Sequence, residues 1–421
     1  MIYIYQVLGH LGGYHDNNYN IENKDKKLSL VSGNSISFLS SVNLFKRISS
    51  KDKKIIFLKP KSLGDVDMHH LTTGIHDNDY EVVEIPSFGV VNNRNYDYYP
   101  PEILLSIFLD MIARIKIDDT LFIDTSTGLN EYVISMISAL DYALVTSALN
   151  NIDKEKVITA YKVTSTPIFW NATGDVTLFI YRHYRKVFFS LPYEENVFQL
   201  GPLVDCKDPE SKYCKKEFNG RFLCKKHYNG SINNLKILYN AIKLNTLPFI
   251  SELQELISEK YKKLLCGMIN ELITQLNKVL ADENRDAKIN NVYTVINFMM
   301  DLKFYQGLID LLQPIVTDMT SLEKLGEIGE KIYHNNIINL HSNLAFLQRD
   351  ITDLINKGDY NTFKSDNEKS PHSNSSKRNF FQHSGMDISS CSVSNNKIMY
   401  KSEKTEERKK WFLNANRSNN V

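Results

Sequence analysis

Cysteine is scarce in this chain. There are five in 421 residues, Cys206, Cys214, Cys224, Cys266 and Cys391. An odd, widely spaced set is not the disulfide framework of a small secreted protein. No run approaches 18 uninterrupted apolar residues, so no transmembrane helix is expected. Charge of one sign is also missing: 50 Lys and Arg face 49 Asp and Glu, a net of +1. That balance excludes a uniformly basic nucleic-acid coat and an acidic solvating chain. The N-terminal stretch Met1 to Gly9 has neither a basic region nor a small-residue cleavage site. It reads as a buried strand, and the expected compartment is the cytoplasm. What the chain does have is apolar mass. Hydrophobic residues make up 42% and aromatics 11%, enough to build several cores over two to three domains of about 150 residues.

The first 200 residues read as α/β. Strands are expected at the N-terminus, at Ile55 to Leu58, at Glu81 to Pro86, at Leu121 to Asp124, and within Val176 to Leu191. Helices are expected at Ser35 to Ile48, Ile103 to Ile115 and Asn130 to Leu144. Strands alternating with helices imply a doubly wound, parallel-rich sheet. Residues 201–235 change character, with three cysteines and a local charge of +3, and read as a Cys/Lys-rich linker or insertion. Residues 236–421 read as helical. The 3/4 spacing from Phe249 to Leu280 predicts one long amphipathic helix. Further helices are expected at 289–304, 305–313 and 321–357. The Ser/Asn-rich stretch 364–376 reads as a loop, and Trp411-Phe412-Leu413 as an anchor in the tail.

The sharpest chemical motif is Lys377-Arg378-Asn379-Phe380-Phe381-Gln382-His383-Ser384-Gly385. On a helix, Asn379 and His383 are i,i+4 neighbours, Arg378 flanks them, and the Phe pair supplies an apolar anchor. Gly385 stands where a helix stops. A cation, an amide and an imidazole at one helix end are the parts needed to cleave RNA without a metal. His moves protons to or from the 2′-hydroxyl and the leaving 5′-oxygen. Arg grips the phosphate, and Asn orients. Arg221 and His227 form a rival pair in a basic stretch with no helix stop behind it, and read as non-catalytic.

Two strand ends are rich in small and polar residues: Gly9-His10-Leu11-Gly12-Gly13, and Asp124-Thr125-Ser126-Thr127-Gly128-Leu129-Asn130. In doubly wound sheets, ligands bind beyond the carboxyl ends of the strands. Hydroxyls and N–H groups at a helix N-terminus favour phosphate, and the glycines permit close backbone approach. Asp124 would repel phosphate, so it is expected to cap the turn or meet a ribose hydroxyl. Any doubly wound fold needs such turns, however, so this segment alone does not decide for a ligand. Cys206, Cys214, Cys224 and His227 leave three alternatives open: a zinc site with atypical spacing, a disulfide, or plain thiols. His334 and His341 read as structural neighbours on one helix face.

The motif from Arg378 to Gly385 resembles the catalytic motif of HEPN ribonucleases. Residues Asp124 to Asn130, with Gly9 to Gly13, resemble the strand ends of CARF domains, the Rossmann-like sensors of CRISPR systems. In this order the two halves resemble the CARF–HEPN ribonucleases of type III CRISPR systems. Thr127 departs from the pattern, standing where many relatives carry His. The resemblance implies a metal-independent, single-strand endoribonuclease of antiviral defence, with Arg378, Asn379 and His383 in a composite active site. It also implies a homodimer, or a higher assembly of dimers, activated by a cyclic oligoadenylate, most simply the tetra-adenylate ring, and no membrane partner. The alternative reading is a non-enzymatic nucleotide sensor that regulates transcription. Residues 364–421 carry 11 Lys and Arg against six Asp and Glu, a local +5, so RNA binding is expected to be local and salt-sensitive.

Overall fold

The computed structural model describes residues 1–9, 16–23, 28, 30–31, 35–126, 130–154, 158–166, 175–183, 204–206, 225–282, 287–289, 291–361, 374–387 and 389–414. The N-terminal half contains β1 (Ile2–Val7), β2 (Asn17–Asn23), β3 (Ser35–Ser37), α1 (Ser40–Arg47), β4 (Lys53–Pro60), α2 (Met68–Leu71), β5 (Tyr80–Ile85), β6 (Phe88–Val91), β7 (Arg94–Asp97), α3 (Pro100–Arg114), β8 (Thr120–Asp124), α4 (Asn130–Asn150), β9 (Thr159–Ser165) and β10 (Asp175–His183). Eight of these strands form one sheet in the order β3-β2-β10-β9-β8-β1-β4-β5. β1 runs parallel to both β4 and β8, with Ile4 opposite Ile55 and Phe122. β9 and β10 are antiparallel. The expected parallel-rich, Rossmann-like sheet is therefore present.

Alternation along the central strands separates two cores. Ile4, Phe57 and Phe122 face one side with Val42 and Phe45 of α1. Tyr5, Ile56 and Ile123 face the other with α3 and α4. The helix expected from Ser35 begins only at Ser40, because Ser35–Ser37 pairs with β2 as an edge strand. α3 starts at Pro100, earlier than its apolar run suggested. The proline pair suits a first helical turn, and the Glu102 carboxylate accepts the Tyr99 N–H at 2.9 Å.

The second half contains β11 (Val204–Cys206), α5 (Lys225–Lys243), a 3₁₀ segment at Leu247–Ile257, α6 (Glu259–Ala281), β12 (Ala287–Ile289), α7 (Val292–Leu312), α8 (Leu322–Tyr333), α9 (His341–Lys357), α10 (Asn374–Gln382), β13 (Cys391–Ser394), β14 (Lys397–Tyr400) and α11 (Thr405–Leu413). α5 crosses the boundary expected at residue 235. The single helix expected from Phe249 to Leu280 is two segments. Leu253 leaves helical geometry (φ −108°, ψ 20°), and Ser258 caps a new helix by accepting the Tyr261 N–H at 3.3 Å. A three-residue apolar repeat suits a 3₁₀ turn as well as an α-helix, so spacing alone did not show the break. Conversely, 289–304 and 305–313 merge into α7. The helix expected over 321–357 divides into α8 and α9, with Asn339 at φ +50° in the connection. His334 and His341 thus lie on different elements, yet their rings are 5.1 Å apart. A β13–β14 hairpin interrupts the expected all-helical region.

Glu131–Asn150 is, by length and composition, long and apolar enough to cross a membrane, although Glu131 and Asp141 interrupt its apolar run. Here it is a core helix, packed against both α3 and α7. Through it the two halves share one continuous core. At the α4–α7 crossing, a Cβ on Gly307 would fall 2.1 Å from the Leu149 carbonyl oxygen. The helices can approach this closely only because residue 307 has no side chain.

Candidate functional site

The two strand ends lie beside β1, where the order of the sheet reverses: β4 and β5 extend it on one side of β1, and β8 and β9, reached after α3, extend it on the other. This is the topological switch point at which doubly wound sheets bind ligands. Gly9, just past β1, is buried. Asp124, the last residue of β8, is wholly buried. Its carboxylate accepts the Ser126 N–H at 2.9 Å and the Ser40 hydroxyl at 2.5 Å. Burial still pushes this carboxyl above the usual range. Gln6 of β1 donates to the Ser40 hydroxyl at 3.1 Å and accepts from Ser41. The Ser40 and Ser126 hydroxyls are 2.5 Å apart. Thr125 spends both its N–H and its hydroxyl on the Val163 carbonyl at 2.9 Å.

The structure thus brings Gly9, Asp124, Thr125 and Ser126 to one place, with Asp124 tying the turn. His10, Leu11, Gly12, Gly13, Thr127, Gly128 and Leu129 lie outside the described residues. Asn130 opens α4. Sequence reasoning missed Gln6, Ser40 and Ser41. The signal was the Ser pair opening α1, whose link to a strand 84 positions later is visible only in the tertiary structure.

The second candidate site is the C-terminal end of α10. Arg378, Asn379 and His383 are all exposed there. The His383 N–H donates to the Asn379 carbonyl at 3.1 Å, so the helical i,i+4 relation holds to the last turn. Phe380, between them in sequence, is fully buried. It meets Phe249 and Trp411 edge-on at 5.6 Å. Burying one such ring is worth about 1.5–3 kcal/mol, which holds this helix to the body while its polar face stays open. The tail anchor expected at Trp411-Phe412-Leu413 is in place, with Phe412 buried against Phe249. Beneath them lies Arg408, 3% exposed. Its guanidinium sits 5.4 Å from the Phe380 and Tyr400 rings and donates to the Ser390 carbonyl at 2.8 Å. Burial pulls its pKa down, and the ring faces stabilise the cation.

The helix stops by changing handedness. Ser384 and Gly385 take φ values of +52° and +77°, and the Gly385 N–H returns to the Phe380 carbonyl at 2.8 Å. This is the Schellman-type closure for which glycine is suited. A Cβ on Gly385 would also press on Thr246 at 3.3 Å. The Ser384 hydroxyl is buried, donating to Asp350 at 2.6 Å and accepting from Asn245 at 2.7 Å. Tyr400 donates to the Gly385 carbonyl at 3.0 Å. The Ser-Gly pair was the sequence signal for this turn. Its partners Asn245, Asp350 and Tyr400 carried none. Of the cysteine-rich set, Cys214 and Cys224 lie outside the described residues, as does Arg221. Cys206 lies in β11.

Residues 3–167 match the family model of the CRISPR system endoribonuclease Csx1, CARF domain. Over that stretch the chain is similar to CRISPR-associated CARF proteins. The match spans the sheet from β1 to β9 and both strand ends of the crevice, and it stops before the helices that carry Arg378, Asn379 and His383. No curated protein matches the chain. The Rossmann-like sheet is thus similar to CARF domains over the matched stretch, and it is followed by a helical region.

Proposed function

We propose that this chain is a single-strand endoribonuclease switched on by a cyclic oligoadenylate. One observation carries the reading. Three groups suited to RNA cleavage stand exposed on a rigidly anchored helix end, in a chain whose residues 3–167 match a CARF domain. The ring binds at the β1–β8 crevice, its phosphates near the Ser126 end of the α4 turn and the opening of α1. A two-fold symmetric ring suits an isologous dimer, and that dimer sets two α10 ends beside each other. His383 takes the proton from the RNA 2′-hydroxyl as the 2′-oxygen bonds to phosphorus. The phosphorus–5′-oxygen bond breaks, and that oxygen receives the proton that the imidazole has taken up. The products carry 2′,3′-cyclic phosphate and 5′-hydroxyl ends. Arg378 holds the non-bridging oxygens and Asn379 orients. These steps need no metal.

The test incubates end-labelled single-stranded RNA with the protein in EDTA, without ligand and with rings of three, four and six adenylates. Cutting stimulated by one ring, with a matching rise in thermal stability, supports the reading. Ring-dependent binding of duplex DNA without RNA cutting would replace it with the regulator reading.

A further inference from the structure

The reaction places demands on His383 that the residue itself does not meet. Its ring is exposed, and the ring's aim depends on the backbone behind it. That backbone is held at three points. The His383 N–H is tied to Asn379 at 3.1 Å, and its carbonyl accepts the Met386 N–H at 2.6 Å. The third point is Ser384, the next residue, in the left-handed region at φ +52°. A non-glycine residue adopts that conformation at a cost and keeps it only where its surroundings require it. Here the requirement is visible. The Ser384 side chain is 1% exposed, and both hydrogen-bonding roles of its hydroxyl are filled, by Asp350 and by Asn245.

Asp350 is 4% exposed and belongs to α9, whereas Asn245 follows α5 and is itself left-handed at φ +60°. The other Asp350 oxygen accepts from the Arg349 guanidinium at 3.0 Å. Two other elements, α9 and the end of α5, therefore converge on one hydroxyl beside the histidine. A buried carboxylate receiving a hydroxyl proton makes a short, strong, directional bond, stiffer than the packing of a methyl group would be.

We propose that Asp350, acting through Ser384, is a positioning residue for His383. It does not touch RNA. It fixes the helix-stop turn so that the imidazole leaves the surface in one direction, and the pairing of His383 with Arg378 and Asn379 is pre-organised. The inference rests on His383 being the catalytic group.

The test compares Ser384→Ala, Asp350→Ala and Asp350→Asn with the parent and with His383→Ala, in ring-activated cleavage of single-stranded RNA. Ser384→Ala and Asp350→Ala are expected to lower kcat roughly 10- to 100-fold, since small misplacements cost that much, with KM for RNA within about twofold of the parent. Both should also shift or blunt the limb of the kcat–pH profile that His383→Ala abolishes. Asp350→Asn keeps an acceptor for the Ser384 hydroxyl and should recover most of the loss. If His383→Ala is inactive while folded Ser384→Ala and Asp350→Ala match the parent in kcat and pH profile, the positioning role is wrong and the ribonuclease reading stands. If kcat falls only in proportion to the folded fraction measured by circular dichroism, the network is structural and the proposal is overturned. If His383→Ala is fully active, the site assignment itself has failed.

Discussion

Polar side chains gather at two places in this molecule and are used in opposite ways. At the end of β8, Asp124 is wholly buried and spends its oxygens on Ser40 and Ser126, which sit among their own partners. At the end of α10, Arg378, Asn379 and His383 face solvent, and the buried polar work is done one residue further on, by Ser384 with Asp350 and Asn245. The first arrangement closes a strand-end turn; in the proposed function, the second presents reagents. Substitutions should separate the two: at the turn they cost folding free energy, and at the reagents they cost rate.

The largest effect is expected at the reagents. His383→Ala should lower ring-activated RNA cleavage by roughly 10²- to 10⁴-fold, while the unfolding free energy from urea titration stays within about 0.5 kcal/mol of the parent, as for other exposed sites. A stability loss of several kcal/mol with intact cleavage would erase the contrast. Next comes the seam joining the two regions. Gly307→Ala places a methyl against the Leu149 carbonyl, which should cost about 1–3 kcal/mol as an overpacked contact and weaken ring activation more than ring binding. Equal activation in a stably folded variant would show that the α4–α7 crossing does not carry the signal.

At the turn, Asp124→Ala removes the acceptor of the buried Ser40 hydroxyl and of the Ser126 N–H. It should cost about 1–3 kcal/mol in denaturant titration. Asp124→Asn keeps an acceptor and should cost less. An unchanged midpoint for the alanine variant would make the strand-end turn as dispensable to the fold as an exposed face.

The smallest effect tests the shared core. Burial pushes the Asp301 carboxyl up to about 7, with Lys236 offsetting part of the shift. Its native pKa exceeds its unfolded one, so the native state binds more protons between about pH 4 and pH 7. The stability this carboxyl contributes is intact below its unfolded pKa and is lost as pH rises through 7. Asp301→Asn should therefore raise Tm by a few degrees at pH 8, less at pH 6, and not at all near pH 4. A difference that does not vary with pH would show that Asp301 titrates normally.

Much of this was legible in the chain. Short apolar runs closed by Pro, Gly or Asp marked β4, β5 and β8, because a buried strand has no other pattern. Phe380 and Phe381 in a polar stretch marked the anchored helix, and Ser-Gly after His383 marked its end. The breaks at Leu253 and Ser258 were not legible, nor was the division between α8 and α9, since a three- or four-residue apolar repeat continues through a kink. The helix expected over Asn130 to Leu144 runs on to Asn150, because its apolar pattern has no break. An all-round apolar helix reads alike whether lipid or protein surrounds it, and only α3 and α7 show which it is.

By itself the sequence determined the alternation of the central strands, the exposed trio on α10 and the helix stop behind it, because these depend on residues a few positions apart. Tertiary structure alone decided that Ser40 would meet Asp124, that Asp350 and Asn245 would close on Ser384, and that Gly307 would let two halves share one core. Those partners stand between 34 and 158 positions apart. No local periodicity encodes such distances. They follow from how the sheet and helices pack to bury their apolar faces, and the polar groups then bond wherever that packing leaves them.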